Sequence, residues 1–353
     1  MDQLTRYETS SCEISNHVPL NVDRHVLELC AGAGGQGLGL ERAGFQLAAA
    51  VEIDGDACDT LRLNRPHWNV LEEDVKRIEG RSFRGLSLVA AGVPCPPFTI
   101  AGKQHGSEDE RDLFPAALDV MRDASPDAIM FENVRGLALS TFRQYRESLF
   151  ERLDDMGYCV CPPRVLNAAD FGVPQLRPRF ILVAFKDTEA AGRFRWPEAI
   201  PQRVTVGEAL GRMMGSRGWP GASGWAAKAN AIAPTLVGGS KKHGGPDVGP
   251  TRAREEWGRL GVDGLGIADA APGPEFPVDG LPRLTVEMAA VIQGFPAGGW
   301  RFAGRKTAAY RQVGNALPPP VAAAVGKAIL VALEGVRPDK SQPRLIREVA
   351  TVA

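Results

Sequence analysis

Short apolar runs alternate with amphipathic stretches through the first half of the chain. The runs are rich in β-branched residues and indicate buried strands, whereas the stretches between them repeat with the period of a helix. Strands are predicted over residues 25–30, 47–53, 70–75, 86–90, 128–131, 158–167 and 180–185, and helices over 56–64, 113–123 and 143–155. Strands that alternate with helices in this order predict an α/β fold with a parallel, doubly wound sheet.

The pattern weakens after Lys186. From residue 187 to about 282 there is little periodicity, and Gly, Pro, Trp and basic residues dominate. Residues 233–245 stand out as a short predicted strand that runs into a basic, glycine-rich loop. Helices are predicted again over 284–292 and 321–333. We therefore predict a domain boundary near Lys186.

Composition and charge narrow the class of protein. The chain of 353 residues is 44% hydrophobic and 24% charged, as in soluble globular proteins with a large core. Its net charge of −1 gives no overall basic signature, but residues 201–260 hold nine Lys and Arg against four Asp and Glu. That local excess is compatible with a polyanion-binding face and also with an ordinary solvated surface.

Cysteine usage and the first residues point to a reducing compartment. The six cysteines have neither the pattern of a disulfide framework nor the paired spacing of a zinc site, so we expect no metal. The chain begins without a basic region followed by an apolar one, and no uninterrupted apolar stretch approaches membrane-spanning length. We expect a cytoplasmic protein that does not bind a membrane.

A glycine-rich turn follows the first predicted strand. Gly32, Gly34 and Gly37 have the GxGxxG spacing of a nucleotide-binding turn, in which glycines let a ligand approach the backbone. Glu52 ends the second strand, where an acid can bind ribose hydroxyls. Asp74 follows the third strand, where it could bind an adenine amine or occupy a surface turn. These residues indicate a cofactor that contains a ribose.

A cysteine with prolines on both sides ends the strand at 86–90. Cys95 follows Pro94 and precedes Pro96 and Pro97, and each proline restricts its own backbone and its neighbour's. A thiol in a stiff turn at the carboxyl edge of a sheet suits a nucleophile, because open α/β sheets bind ligands at that edge. A small buried cysteine in a proline-rich corner would show the same pattern.

Further polar residues are expected near this thiol. Glu132 follows the strand at 128–131 and would reach the same sheet edge as Cys95, although it could also be a capping or salt-bridging acid. Arg177 and Arg179 precede the last strand and, two residues apart on an extended segment, point to the same side. As a pair they could bind a phosphate or polarise a base carbonyl.

Taken in order, these stretches resemble the DNA (cytosine-5)-methyltransferase family over roughly residues 25–330. The matching segments are residues 29–35, Glu52, Asp74, Pro94 and Cys95, residues 132–134, the Gln175-x-Arg177-x-Arg179 triplet, and residues 283–296 and 312–316. Cys30 stands where the family often has phenylalanine, and Ile53 where a larger apolar residue is common. The proline pair after Cys95 also departs from the more usual glutamine.

The resemblance implies two lobes. The first, residues 1–186, would be a Rossmann-like domain that binds S-adenosylmethionine, and residues 305–353 would pack back onto it. The second, residues 187–304, would be a smaller, loop-rich target-recognition domain. The implied cofactor-binding residues are Cys30, Ala31, Gly32, Gly34, Gly35, Glu52, Ile53, Asp74, Val75, Pro94, Asn315 and Ala316.

The resemblance also implies a reaction. Cys95 would add to C6 of a cytosine flipped out of duplex DNA, and Glu132 would protonate N3. Arg179 would hold O2 of the base and orient Glu132. The implied catalytic residues are Cys95, Glu132, Arg177, Arg179, Asn133 and Pro94. The methyl group would pass to C5, and S-adenosylhomocysteine would be the product.

Double-stranded DNA is the implied partner. Candidate DNA-binding residues are Thr99, Lys103, Gln104, His105, Arg135, Thr235, Lys241, Lys242, His243, Arg252 and Arg254. A solvated surface role suits the basic residues of the second lobe equally well. The implied protein is a monomer on DNA in a bacterial cytoplasm, associated with the nucleoid, and the modification half of a restriction-modification system with a cognate endonuclease.

Three other functions stay open at this point. A tRNA cytosine-5 methyltransferase would share the family motifs, and a catalytically silent relative would keep only DNA binding. A nicotinamide dehydrogenase is the generic interpretation of GxGxxG, but it leaves Pro94, Cys95 and the arginine pair unexplained.

Overall fold

The computed structural model describes residues 24–94, 112–238 and 248–335. In this part of the chain a seven-stranded sheet lies at the centre of the fold. Its strands are β1 (His25–Leu29), β2 (Gln46–Glu52), β3 (Val70–Glu72), β4 (Leu88–Ala91), β5 (Ala128–Val134), β6 (Cys159–Asn167) and β7 (Pro178–Phe185). The strand order across the sheet is β3-β2-β1-β4-β5-β7-β6.

Helices connect and flank these strands. Those of the first half are α1 (Gly35–Ala43), α2 (Gly55–Asn64), α3 (Phe114–Ala124), α4 (Arg143–Asp155) and α5 (Thr188–Arg193). Those that follow are α6 (Val206–Met214), α7 (Ala222–Lys228), α8 (Thr251–Arg259), α9 (Val286–Ile292), α10 (Lys306–Asn315) and α11 (Pro319–Leu333). The predicted helix at 143–155 matches α4 in both bounds, and the other predicted elements of the first half differ by a few residues.

The sheet is mixed, so the prediction of a wholly parallel sheet is wrong at one edge. Strands β3, β2, β1, β4 and β5 are parallel, whereas β7 runs antiparallel to both β5 and β6. A parallel pair needs a crossover of a dozen or more residues, but only residues 168–177, which hold a single short 3₁₀ turn, separate β6 from β7. The chain therefore turns back on itself, and β7 inserts between β5 and β6.

Both faces are covered in the middle of the sheet, which explains why the central strands β1, β4, β5 and β7 are mostly apolar. On one face Leu27 and Leu29 belong to a buried cluster with Phe114 of α3 and Leu149 of α4. On the opposite face Val26 belongs to a second cluster, with residues of α1 and α11. Because the faces are covered, a ligand can reach the sheet at the edge formed by the carboxyl ends of its parallel strands.

The closest helix pair is α1 with α11. A Cβ atom on Gly39 would lie 2.4 Å from the carbonyl oxygen of Pro319, and one on Gly326 would lie 2.9 Å from the side chain of Leu40. Only glycine permits this approach. The last helix of the described chain therefore packs against α1, which begins directly after the predicted cofactor turn.

The segment Lys306–Leu333, which comprises α10 and α11, is long and apolar enough to cross a membrane, with a mean hydropathy of 1.7. Residues 316–318 separate its two helices, so the prediction of no uninterrupted apolar stretch of membrane-spanning length stays a prediction. The share of this apolar window that is buried inside the protein is 61%. The apolar side chains of α11 thus serve the packing against α1.

The described part of residues 187–304, the segment predicted to form the second lobe, is built mainly from short helices. In its described part, Ala233 forms only an isolated bridge with Gln175, so the predicted strand from 233 is reduced to one pairing. Leu210, Trp225 and Trp257 are buried in an apolar cluster that extends to Leu61 of α2. Contacts with the sheet continue beyond Lys186, because α5 packs on β6, β7 and α11.

Candidate active site

Four parallel strands bring their carboxyl ends to one edge of the sheet. The predicted cofactor turn follows β1, Glu52 ends β2, Pro94 follows β4 and Glu132 lies near the end of β5. Strand pairing makes these segments neighbours. The sequence prediction that they share one edge is therefore confirmed for the described residues.

The turn after β1 has an unusual backbone. Cys30, Gly32 and Gly34 all have left-handed conformations, with φ of 56°, 55° and 82°. Glycine adopts such angles without strain, whereas a non-glycine residue does so rarely and mostly at functional sites. Burial, followed by the charges of Glu52 and Asp74, raises the pKa of Cys30 to about 12, so this cysteine stays a neutral thiol.

Glu52 holds this turn from β2. Its Oε2 accepts a hydrogen bond from the backbone N–H of Gly32 at 2.7 Å. Its Oε1 accepts from the N–H groups of Ile53 and Asp54 at 2.9 and 2.8 Å. The predicted meeting of Gly32 and Glu52 is thus present, and the side chain of Ile53 stands exposed beside them.

Asp74 follows β3 and caps a single 3₁₀ turn, its Oδ1 accepting from the N–H of Lys76 at 3.0 Å. The cap matches the surface-turn alternative for this residue. The charge of its carboxylate also contributes, after burial and Glu52, to the raised pKa of Cys30. Val75, the next residue, is buried.

Glu132 and Arg179 lie on the neighbouring strands β5 and β7, and we call this pair the catalytic edge, after the role that the sequence predicts for them. Antiparallel pairing sets Val134 opposite Arg179, and the Nε of Arg179 lies 2.9 Å from Oε1 of Glu132. Both side chains are about nine-tenths buried, with 12% of Glu132 and 11% of Arg179 exposed. Burial raises the pKa of Glu132, and the charges of Arg179 and Arg177 oppose the rise. Glu132 therefore keeps its proton to a higher pH than an ordinary carboxyl.

Asn133 and Gly92 connect this edge to the chain that leads into Cys95. The Nδ2 of buried Asn133 donates to the carbonyl oxygen of Val93 at 3.2 Å. A Cβ atom on Gly92 would lie 3.6 Å from Oε2 of Glu132. Both contacts precede exposed Pro94, so β5 holds the backbone immediately before the predicted nucleophile.

Arg177 does not join Arg179 at one substrate group, which corrects the predicted pair. Its guanidinium donates to the carbonyl oxygens of Leu236 at 2.8 Å and Gly314 at 2.5 Å. The residue is 1% exposed, and burial lowers its pKa. Gln175 adds a bond from its Nε2 to Oε1 of Gln293 at 2.9 Å. We call this set of interactions the lobe junction, because it joins β7, the second lobe and α10.

The end of α10 lies between the second lobe and the cofactor turn. A Cβ atom on Gly314 would lie 2.4 Å from the Cα and N atoms of Gly238, so two glycines cross here. On the other side, a Cβ atom on Gly35 would lie 3.1 Å from Cβ of Ala316. Ala316, predicted to bind the cofactor, therefore lies beside the turn, whereas the side chain of Asn315, also predicted to bind it, lies against Gly238.

Several predicted residues lie outside the described part of the chain. They are Cys95, Thr99, Lys103, Gln104, His105, Lys241, Lys242 and His243. Of the other DNA-binding candidates, Arg135 is exposed and Thr235 donates to the carbonyl oxygen of Leu176 at 2.5 Å. Arg252 pairs with Glu256 at 3.2 Å, and Arg254 donates to Thr251 at 3.1 Å.

Sequence reasoning missed Trp300. Its indole Nε1 donates to the carbonyl oxygen of Ala33, inside the cofactor turn, at 3.1 Å. The only sequence signal for its role was a group of three aromatic residues, Phe295, Trp300 and Phe302, after the predicted helix at 284–292. Such a pattern is also typical of an ordinary core.

A separate cavity and the distribution of metal-ligating side chains also bear on which ligands the protein could bind. A cavity of about 550 Å³ lies between α6 and the first residues of α9 and α10, and it shares no residue with the site described above. Within residues 24–94, 112–238 and 248–335, no group of three or more His, Cys, Asp or Glu side chains could hold a metal ion.

Comparison with known proteins gives the class of enzyme. The family model described as C-5 cytosine-specific DNA methylase matches residues 25–331. The chain belongs to this family and is a C5-cytosine DNA methyltransferase. It is 54% identical over 321 residues to type II methyltransferase M.NaeI of Lentzea aerocolonigenes, with 90% of this chain and 77% of that protein covered. It is 50% identical over 309 residues to M.NgoMIV of Neisseria gonorrhoeae, covering 87% and 97%.

Solved structures agree on the fold. A putative DNA modification methyltransferase from an Escherichia coli prophage matches with a TM-score of 0.59 and 22% identity, covering 88% of this chain and 99% of that one. The Entamoeba histolytica methyltransferase EhMeth matches with a TM-score of 0.62 and 15% identity, covering 88% and 98%. The predicted family and Rossmann-like fold are confirmed.

Proposed function

We propose that this chain methylates C5 of a cytosine flipped out of duplex DNA through a covalent bond between Cys95 and C6. S-adenosylmethionine would be the methyl donor. The observation that carries the proposal is the Glu132–Arg179 pair, buried at the sheet edge beside the backbone that leads into Cys95.

The cofactor turn fits S-adenosylmethionine. Among the described residues, no atom lies within 4 Å of the position that a Cβ on Gly32 would take, so there is room beside this backbone. Glu52 holds a carboxylate at the same place, where ribose hydroxyls can donate to it. Bound there, S-adenosylmethionine supplies an electrophilic methyl group and leaves as S-adenosylhomocysteine.

The residues of this chain would supply the rest of the chemistry. C5 of cytosine is a weak nucleophile, and addition of the Cys95 thiolate to C6 makes it electron-rich. Protonation of N3 relieves the charge on the ring, and Glu132 suits this step because burial raises its pKa. After methylation solvent water takes the proton from C5, and the electron pair of that bond forms the C5–C6 double bond as the bond between sulfur and C6 breaks. The thiolate of Cys95 is released, and the N3 proton returns to Glu132.

Arg179 has two parts in this proposal. Its Nε holds Oε1 of Glu132, which leaves Oε2 to face Gly92 and the approaching base. Its guanidinium, whose Nη1 also donates to the carbonyl oxygen of Pro178 at 2.9 Å, would bind O2 of the cytosine. Asn133 holds the backbone at Val93, two places before Cys95 in the sequence.

The test uses Cys95→Ser and a mechanism-based substrate. We expect Cys95→Ser to bind S-adenosylhomocysteine as the wild type does but to transfer no methyl group to duplex DNA. The wild type should form an adduct with DNA containing 5-fluorocytosine that survives a denaturing gel, since fluorine at C5 blocks elimination. Undiminished turnover by Cys95→Ser, or the absence of an adduct from an active wild type, would refute the covalent mechanism.

We also infer that the protein is the modification enzyme of a type II restriction-modification system in a bacterial cytoplasm. The similarity to M.NaeI and M.NgoMIV extends over 90% and 87% of this chain, so most of the second lobe is included. A shared target sequence would then follow. DNA already methylated by M.NaeI should be a poor methyl acceptor for this enzyme, whereas unmethylated DNA of the same sequence and tRNA serve as controls.

A further inference from the structure

Trp300, which lies between α9 and α10, packs against the cofactor turn. Trp300 is 4% exposed, and its indole N–H donates to the carbonyl oxygen of Ala33 at 3.1 Å. A Cβ atom on Gly34 would lie 2.9 Å from the indole ring, so the turn rests directly on it. Glu52 holds the same turn from β2 through the N–H of Gly32.

The ring of Trp300 is itself held on several sides. The ring centroids of Trp68 and Phe295 lie 6.1 and 5.8 Å from its own. The guanidinium carbon of Arg65 lies 5.1 Å from its centroid, within the range of a cation–π contact. Packing of this kind leaves the indole N–H little freedom to leave the turn.

The backbone around Trp300 is fixed to α2. Asn64 accepts from the N–H of Arg301 at 2.8 Å and donates to its carbonyl oxygen at 2.6 Å. Thr60 accepts from the N–H of Ala303 at 2.8 Å and contacts Oε1 of Gln312 at 2.6 Å. Helix α2 begins three residues after Glu52, so both supports of the turn lead back to the end of β2.

We propose that Trp300 is a positioning residue for the cofactor: it holds Ala33 and Gly34 in the conformation that binds the donor. The inference rests on the proposed function, because it takes the turn after β1 as the S-adenosylmethionine site. Trp300 acts through the turn, so it sets cofactor affinity and leaves the chemical step to Glu132 and its neighbours. The predicted contribution is one hydrogen bond to a buried carbonyl, together with the packing of the indole against Gly34.

Trp300→Phe tests this directly, because it removes the indole N–H and keeps an aromatic ring. The matched control is Trp219→Phe: Trp219 is 3% exposed in the second lobe, and its Nε1 donates to the carbonyl oxygen of Pro277, also at 3.1 Å. Calorimetry with S-adenosylhomocysteine should show affinity about three- to tenfold weaker for Trp300→Phe and unchanged for Trp219→Phe. In steady state, KM for S-adenosylmethionine should rise by a similar factor, with kcat within about twofold.

Equal cofactor affinity in the two variants, or a fall in kcat without a rise in KM, would overturn the proposal. If Trp300→Phe does not fold, Asn64→Ala takes its place, since it frees the backbone at Arg301 and should also weaken cofactor affinity. A wild type that binds no S-adenosylhomocysteine would instead refute the proposed cofactor site. If the wild type transfers methyl groups but Trp300→Phe binds S-adenosylhomocysteine as tightly as the wild type does, only this inference is refuted.

Discussion

Arg177 of the lobe junction and Arg179 of the catalytic edge lie two positions apart in the sequence, yet the two arginines serve different purposes. At the catalytic edge, Arg179 meets the carboxyl of Glu132 and both side chains keep about a tenth of their surface accessible. At the lobe junction, Arg177 is fully buried, and its Nη1 and Nη2 donate to the backbone carbonyls of Leu236 and Gly314. An arginine bound to carbonyls joins segments, whereas one bound to an acid that stays partly accessible can act on a ligand.

Loss of the acid at the catalytic edge should have the largest effect. Glu132→Gln keeps the shape but cannot donate a proton to N3, so we expect methyl transfer to fall about 10²- to 10⁴-fold. The free energy of unfolding should not decrease, because the neutral amide carries none of the cost that burial places on an ionised carboxylate. Single-turnover methylation and urea unfolding measure the two quantities. The control is Glu147→Gln on α4, whose half-exposed side chain pairs with Arg143; a comparable activity loss there would contradict the assignment.

The next largest effect should be on stability at the lobe junction. Arg177→Met leaves two buried carbonyl oxygens without their donor, and each costs about 1–3 kcal/mol. We expect the free energy of unfolding to fall by about 2–6 kcal/mol. Arg179→Met should cost less stability and more activity, because Glu132 can remain a neutral acid. If the two variants lose stability and activity in the same proportion, the comparison of the two regions fails.

The smallest effect should be a displacement of the pH profile. Both arginines lower the pKa of Glu132, Arg179 more than Arg177, against the larger upward effect of burial. A proton donor is lost as pH rises through its pKa, so kcat should fall on the alkaline side. Removing either positive charge raises that pKa and moves the fall to higher pH. The displacement should be greater for Arg179→Met than for Arg177→Met; the reverse order would show that Glu132 responds mainly to the lobe junction.

Much of this site follows from local sequence pattern. Each strand of the parallel part could be predicted because it is apolar and short, and the residues after it then had to meet at one edge. That reasoning placed Glu52 beside Gly32 and Glu132 beside the chain that leads to Cys95. It needed no long-range contact beyond strand order.

The parts that failed depend on contacts between distant segments. The antiparallel insertion of β7 is a choice of pairing partner, which apolar content does not reveal. Arg177 looked equivalent to Arg179 because spacing on an extended segment sets direction but not partner. Trp300 lies 267 residues from the carbonyl that it binds, so its role had no local signal.

The crossing of Gly238 and Gly314 has a consequence for protein engineering. Exchange of target-recognition segments between relatives is a natural way to redirect such an enzyme. A graft that carries any side chain at 238 would press on the carbonyl of Arg311 and the amide of Asn315, at 2.5 and 2.6 Å. Chimaeras should therefore be joined so that this glycine is retained, whichever sequence supplies the new specificity.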